Sequence, residues 1–158
     1  MNKKVPIIAA FICLLDQISK ILVSNYLVNN VTIIKNFFYL TLVYNKGAAW
    51  GILENHTYII TIIMILALIF LVRIISNFKN NLRNNIAFGL VIGGLLGNLI
   101  DRIFRGYVID FLDFYIFKYD YPVFNISDIA IVIGMFLLVF AIIKGEDTHE
   151  DNSKRKSR

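Results

Sequence analysis

Charge is scarce in this chain. Lysine, arginine, aspartate and glutamate make up 17% of its 158 residues, against 58% that are hydrophobic. Soluble domains carry about a quarter charged residues, so composition argues against a soluble fold, and a mean hydropathy of +0.67 points the same way. Cysteine is nearly absent. The single Cys13 lies in an apolar run without a histidine beside it, which rules out an internal disulfide and gives no nucleophilic pair. The two histidines, His56 and His149, stand far apart, and there is no HExxH and no Cys/His cluster. A zinc protease is therefore not expected, and no metal site is. A G-x-S-x-G nucleophile elbow is missing as well. The net charge of +5 does not indicate a nucleic-acid partner, because the basic residues flank apolar segments as topology signals do.

What is present is apolar length. Four stretches, about 5–23, 58–75, 86–104 and 125–143, are long enough or nearly long enough to cross a hydrocarbon core of roughly 30 Å. The first is interrupted by polar residues. It imitates a signal peptide, with Lys3 and Lys4 before an apolar run, but Ile12 precedes Cys13 and no A-x-A site follows, so an uncleaved first span is expected. The expected fold is a membrane all-α bundle of four transmembrane helices, forming one domain over 1–143, with a polar, disordered cytoplasmic tail at 144–158. Lys3, Lys4, Arg73, Lys79, Arg83, Lys144, Lys154, Arg155, Lys156 and Arg158 hold ten of the sixteen basic charges and fall on one side. By the positive-inside rule that side is cytoplasmic, which puts both termini inside and the stretches 25–56 and 104–124 outside.

The outer stretches are not ordinary loops. Phe37 to Tyr44 is aromatic and β-branched and ends at the turn signal Asn45-Lys46-Gly47; Gly106 to Phe114 is similar. Together they predict a small β-structure on the outer interface, with Tyr39, Trp50, Tyr107, Tyr115 and Tyr121 suited to the headgroup region. A short interfacial helix is expected at 48–53.

Polar residues within spans are costly and are usually paired or functional. Asp16 and Lys20 share a helical face at i,i+4. They read either as a mutual ion pair or as a brace for a site. Gly89, Gly93 and Gly97 form a stripe that permits close helix packing. Gly94, Asn98 and Arg102 form a second row, with Asp101 beside it. Asn125 and Asp128 open the fourth span as N-cap and first-turn residues. Asp110 sits in an apolar setting with no local base and needs a partner or a raised pKa. Outside the tail, five of the seven acidic residues (Asp101, Asp110, Asp113, Asp120 and Asp128) fall between positions 101 and 128. Two aspartates sharing a proton can hydrolyse a peptide without a cofactor: one activates water while the other polarises the carbonyl. The residues alone leave the choice of partner for Asp110 open among Asp101, Asp113 and Asp128.

The chain resembles the bacterial lipoprotein signal peptidases, signal peptidase II. The resemblance rests on Asp16-Gln17-x-x-Lys20, Asn45-x-Gly47-Ala48-Ala49-Trp50-Gly51, Gly94-x-x-Gly97-Asn98-x-x-Asp101-Arg102, Gly106-x-Val108-x-Asp110-Phe111 and Phe124-Asn125-x-x-Asp128, in that order. Ser127 stands where the family usually has alanine. The resemblance implies a membrane aspartyl endopeptidase that cuts prolipoproteins before a diacylglyceryl-modified cysteine. It implies a catalytic dyad at Asp110 and Asp128, with Asp16, Lys20, Asn45, Gly47, Ala48, Asn98, Asp101, Arg102 and Asn125 in supporting roles. It also implies membrane lipids as surroundings, a bacterial cytoplasmic-membrane location, inhibition by globomycin-type cyclic peptides, and no cofactor. A monomer suffices. Two competing readings are a small ion-coupled transporter using intramembrane Asp and Lys, and a glycine-packed scaffold with its charges as anchors. A transporter predicts carboxylates spread along a path through the bilayer.

Overall fold

The structure is a computed structural model that describes residues 3–47, 56–117 and 119–147. Four helices are long and apolar enough to cross a membrane: α1 (Lys4–Tyr26), α2 (Thr57–Ile74), α3 (Leu82–Phe104) and α4 (Ile126–Ile143). At 1.5 Å per residue, the 23-residue α1 and α3 each reach about 35 Å. The span boundaries shift for local reasons. α3 begins four residues before the expected start because the Asn81 side chain accepts from the Asn84 backbone N–H at 2.8 Å, a cap that lets Asn84 and Asn85 enter the helix. A 3₁₀ turn over Ile75–Asn77 closes the end of α2.

The expected β-structure is present and larger than its two predicted stretches. Strands β1 (Val31–Ile34), β2 (Phe38–Asn45), β3 (Val108–Ile116) and β4 (Tyr119–Asp120) form an antiparallel sheet in that order. β2 and β3 pair Leu40 with Leu112 and Val43 with Asp110. Three steps on β2 oppose two on β3, so one extra residue bulges from β2 between Leu40 and Val43. α1 and α3 pack against β3, and Asn125, the cap of α4, bonds Asp110 of the same strand. The segment 48–53, expected as an interfacial helix, lies outside the described residues.

α3 is the central helix. Fourteen of its residues are buried, against four of α1, three of α2 and five of α4. The glycine stripe makes this possible. A Cβ at Gly93 would stand 2.7 Å from the Ala9 carbonyl oxygen and 2.9 Å from Ile12 Cβ of α1. α4 approaches the opposite side of α3 through its own Gly134. Without water between helices, such close backbone packing is what holds them together.

At the far end from the sheet, residues 144–147 do not start a loose tail. Glu146 accepts from Asn81 Nδ2 at 2.8 Å and pairs with Arg83 at 2.5 Å, its carbonyl accepts from Lys79 N–H at 2.8 Å, and Asp147 bridges to Phe78. Arg83 and Asn81 hold the Glu146 carboxyl down at about 2. The tail expected as disordered thus begins as a strap over the α2–α3 turn, a tertiary pairing that polarity alone does not reveal.

Substituting Gly93→Val should lower stability by about 1–3 kcal/mol, the usual cost of overpacking. The unfolding midpoint in detergent measures it, and an unchanged midpoint would refute the close α1–α3 contact.

Candidate active site

Lys20 organises the polar end of the bundle. Its ammonium donates to Asp16 Oδ2 at 2.7 Å, Asp101 Oδ2 at 2.9 Å and Asn98 Oδ1 at 2.9 Å. Three protons thus meet three acceptors, and Asp16, Lys20 and Asp101 are fully buried. The second carboxylate charge is met by Arg105, one helical turn from Asp101 and bonded to its Oδ1. Gln17 Nε2 donates to Asp101 Oδ1 and to the Gly97 carbonyl, both at 3.1 Å. The ion pair and the brace, set as alternatives at Asp16 and Lys20, are one structure.

Each acceptor also fixes a neighbouring element. Asp16 Oδ1 accepts from the Ser127 backbone N–H at 2.9 Å, holding the first turn of α4. Asp101 Oδ2 accepts from Ile109 N–H at 3.2 Å, holding the start of β3. Asn98 Nδ2 donates to Asp128 Oδ1 at 2.8 Å. Gly97 is required here, since a Cβ would come within 2.6 Å of Asp16 Oδ2. The Ser127 side chain is fully buried and its hydroxyl has no hydrogen-bond partner among the described residues.

Asp110 and Asp128 line one cavity of about 870 Å³, and both are bonded to Asn125. The Asn125 side chain donates to Asp110 Oδ1 at 2.6 Å while its backbone N–H donates to Asp128 Oδ2 at 3.1 Å. The second bond belongs to a capping box, completed by Asp128 N–H donating to Asn125 Oδ1 at 3.0 Å. Asp128 is therefore both a cap and a cavity residue. Asn45 Nδ2 donates to Asp110 Oδ2 at 2.8 Å, and Asn45 Oδ1 accepts from Gly47 N–H at 2.9 Å. Arg102 Nη2 then donates to the Gly47 carbonyl at 2.9 Å and joins the cavity wall. Burial, then the charge of Asp128, pushes the Asp110 carboxyl up to about 7, against the downward pull of Asn45, Asn125 and Lys20.

The other candidate partners of Asp110 point elsewhere. Asp101 is spent on Lys20, Arg105, Gln17 and Ile109. Asp113, an odd number of residues along β3, faces the opposite side of the sheet, where it accepts from Thr41 at 2.7 Å. Ala48 and Trp50 lie outside the described residues. Gln17 and Arg105 were not singled out as site residues. The i,i+4 spacing from Asp101 was the signal for Arg105; Gln17 stands beside Asp16 in the first motif.

Four helices able to cross a membrane, with a cavity between α2, α3, α4 and the sheet into which Asp110 and Asp128 face, give the architecture of a membrane protein with a candidate active site at one end. Two solved structures, each titled as a bacterial membrane enzyme determined by the in meso method, are similar to it. One is 39% identical with a TM-score of 0.78, covering 87% of this chain and 91% of the other. The second is 38% identical with a TM-score of 0.72, covering 87% and 86%. Residues 8–144 match the family described as Signal peptidase (SPase) II, Peptidase_A8. The chain belongs to the signal peptidase II family, peptidases that cleave signal peptides from lipoproteins. The transporter reading finds no support. The buried carboxylates Asp16, Asp101, Asp110 and Asp113 all gather at the sheet end of the bundle, not along a path.

Lys20→Met should cost about 3–5 kcal/mol, because it leaves Asp16 buried without a counter-charge and Asp101 with Arg105 alone. Chemical unfolding of the variant tests this; a loss under about 1 kcal/mol, the surface-pair range, would refute the hub.

Proposed function

We propose that Asp110 and Asp128 form the catalytic dyad of an aspartic-type endopeptidase. The reading is carried by one observation: both carboxylates line the same cavity and both are bonded to Asn125. Close like charges titrate apart, so around neutral pH the pair holds one proton. The ionised carboxyl takes a proton from water, which attacks the scissile carbonyl. The protonated carboxyl hydrogen-bonds the carbonyl oxygen, and a carboxyl then protonates the departing amine. Asn45, Asn98 and Asn125 hold the two carboxyls in register, Asp16, Lys20 and Asp101 fix the helices behind them, and Arg102 with Gly47 shapes the wall. The scheme uses no cofactor.

The substrate bond lies on the N-terminal side of a cysteine carrying diacylglycerol. Its signal peptide is an apolar helix, so the bond sits at the membrane interface. An active site at the extracytoplasmic end, with both termini cytoplasmic as the lysine and arginine distribution favours, meets that bond without drawing the substrate into water. Residues 1–143 form the peptidase domain, working as a monomer among membrane lipids, and globomycin-type cyclic peptides occupy the same cavity.

Reconstituted with a diacylglyceryl-modified prolipoprotein, the protein should release a shortened product. Asp110→Asn and Asp128→Asn should each remove cleavage while leaving the unfolding midpoint near that of the wild type; full cleavage by either would overturn the dyad. Unmodified prolipoprotein should be cleaved poorly, and equal rates would reject lipid recognition.

The pH profile provides a second check. With Asp110 raised to about 7, the rate should fall as pH climbs through that value and the pair loses its remaining proton. The stability contribution has the same sign: it is full below the ordinary carboxylate range and declines as pH rises through about 7. Asn45→Ala removes a hydrogen bond that lowers this value, so the alkaline limb of kcat/KM should move to higher pH. A limb that stays in place would show that Asn45 does not tune the pair.

A further inference from the structure

We propose that the free end of the sheet inserts into the lipid headgroup layer, with Phe117 as its anchor. The anchor does not depend on the dyad reading above.

Two turns of the sheet stand side by side. Phe38 on β2 pairs with Phe114 on β3, and Tyr115 N–H donates to the Phe37 carbonyl at 2.9 Å. The Phe37 and Phe114 rings meet edge to face at 5.5 Å. The β1–β2 turn and the turn after β3 therefore share one end of the sheet. The nine residues of β3 carry that end about 26 Å from Val108. Its surface is apolar. Ile33, Ile34, Phe37, Ile116, Phe117 and Tyr119 are all exposed, and Lys35 is exposed among them.

Phe117 is the residue that the fold does not explain. It is 100% exposed, so its ring adds nothing to the core. Its φ of 49° lies in the left-handed region, where a bulky side chain is an outlier and glycine or asparagine is the usual choice. Asn36, at φ 61°, is the ordinary case in the neighbouring turn. Neither the turn nor the packing favours an aromatic ring at 117; a contact outside the protein does.

The bilayer is the partner that the rest of the chain brings near. The membrane-spanning α1 turns exposed Phe11, Ile18 and Leu22 towards hydrocarbon. Exposed apolar residues continue through Tyr26 and Val28 into Val31, Ile33 and Ile34 of β1, interleaved with exposed Asn25, Asn29 and Asn30. The lipid-facing surface of the span thus runs on into the sheet, with the mixed polarity of a headgroup layer. An edge strand as apolar as β1 is an aggregation hazard in water; among headgroups it is covered. Lys35 supplies a positive charge where lipid phosphates lie. Held by the bundle near Val108 and by lipid at Phe117, β3 lies along the bilayer surface. Asp110, on the same strand, then stays at the depth of the interface.

The test uses full-length protein in phosphatidylethanolamine–phosphatidylglycerol vesicles. Phe117→Trp adds a reporter, read as the difference from the wild type, whose emission comes from Trp50 alone. The added emission should be blue-shifted from that of an indole in water. Lipids brominated near the head of the acyl chain should quench it more than lipids brominated midway down. Phe11→Trp, on the exposed face of α1 and outside the proposed element, should show the opposite order and calibrates depth. The rival occupant is a second copy of this chain. Phe117→Cys in a Cys13→Ser background should give no disulfide dimer on oxidation once the protein is diluted in lipid. Because Phe117 is fully exposed, its variants should keep the wild-type unfolding midpoint in detergent. Added emission that no bromine quenches, an emission maximum at the water value, or a dimer whose yield survives dilution would each overturn the proposal. A lowered midpoint in Phe117→Trp would place the ring inside the fold and overturn it too.

Discussion

The structure depends on the ammonium group of Lys20. Its three bonds, to Asp16, Asp101 and Asn98, use every proton it has. Every other part of the polar end is one bond further out: α4 through Asp16 and Ser127, β3 through Asp101 and Ile109, and Asp128 through Asn98. In a bilayer no water can replace a lost partner. Buried ion pairs often contribute little net stability, because desolvation offsets their attraction. Their value here is positional. Two carboxylates, one lysine and one asparagine must all be present and correctly placed, or the charges are left unmet. That condition selects a single arrangement of α1, α3 and α4.

Asn125 carries this order the last few ångströms. Its side chain has one oxygen and one amide nitrogen, and both are used. The oxygen caps α4 through Asp128 N–H, and the nitrogen bonds Asp110 and, at 3.1 Å, Asn98 Oδ1. The helix start and the spacing of the carboxylates are thereby the same feature. A capping box normally ends its work at the helix terminus; here the capping carboxylate also faces a cavity shared with a strand. Its Oδ2 serves the cap and its Oδ1 meets Asn98, so two donors fix the orientation of the carboxyl.

The helices were legible in the sequence because apolar length is a local signal. The strands β2 and β3 were legible because their aromatic and β-branched runs end at turn residues. The glycine stripe correctly announced close packing, although not that Gly97 leaves room for the Asp16 carboxylate. The pairing of the aspartates was not legible from spacing. Asp101, Asp113 and Asp128 look equivalent until a register is known. The bulge between Leu40 and Val43 then sets Asp110 opposite Val43, and the alternation of β3 turns Asp113 to the other face. The strap formed by Glu146 was hidden for a similar reason. A polar residue after the last span reads as tail, and only its contact with Asn81, Asn84 and Arg83 makes it structural.

The bundle is not equally tight on all sides. α1 and α4 press into α3 through glycines, whereas α2 buries only Ile60, Met64 and Leu71. Among the described residues α2 gives the cavity one side chain, Met64, while α4 gives it Asp128, Ile129, Ile131, Val132 and Ile133. Val132 is 68% exposed and Ile133 48%, so on this side the cavity wall and the lipid-facing surface are the same residues. The buried polar groups cluster where α1, α3 and α4 pack closely, while the apolar side of the cavity is lined by exposed residues of α4. A soluble protease has to admit substrate from water and then exclude water from its site. On the reading proposed above, a substrate anchored in the membrane approaches through hydrocarbon, and an apolar, exposed cavity wall of this kind suits it. Under that constraint the loose packing of α2 does not compromise the site, because none of the hydrogen bonds that hold Asp110, Asp128 or Lys20 comes from it.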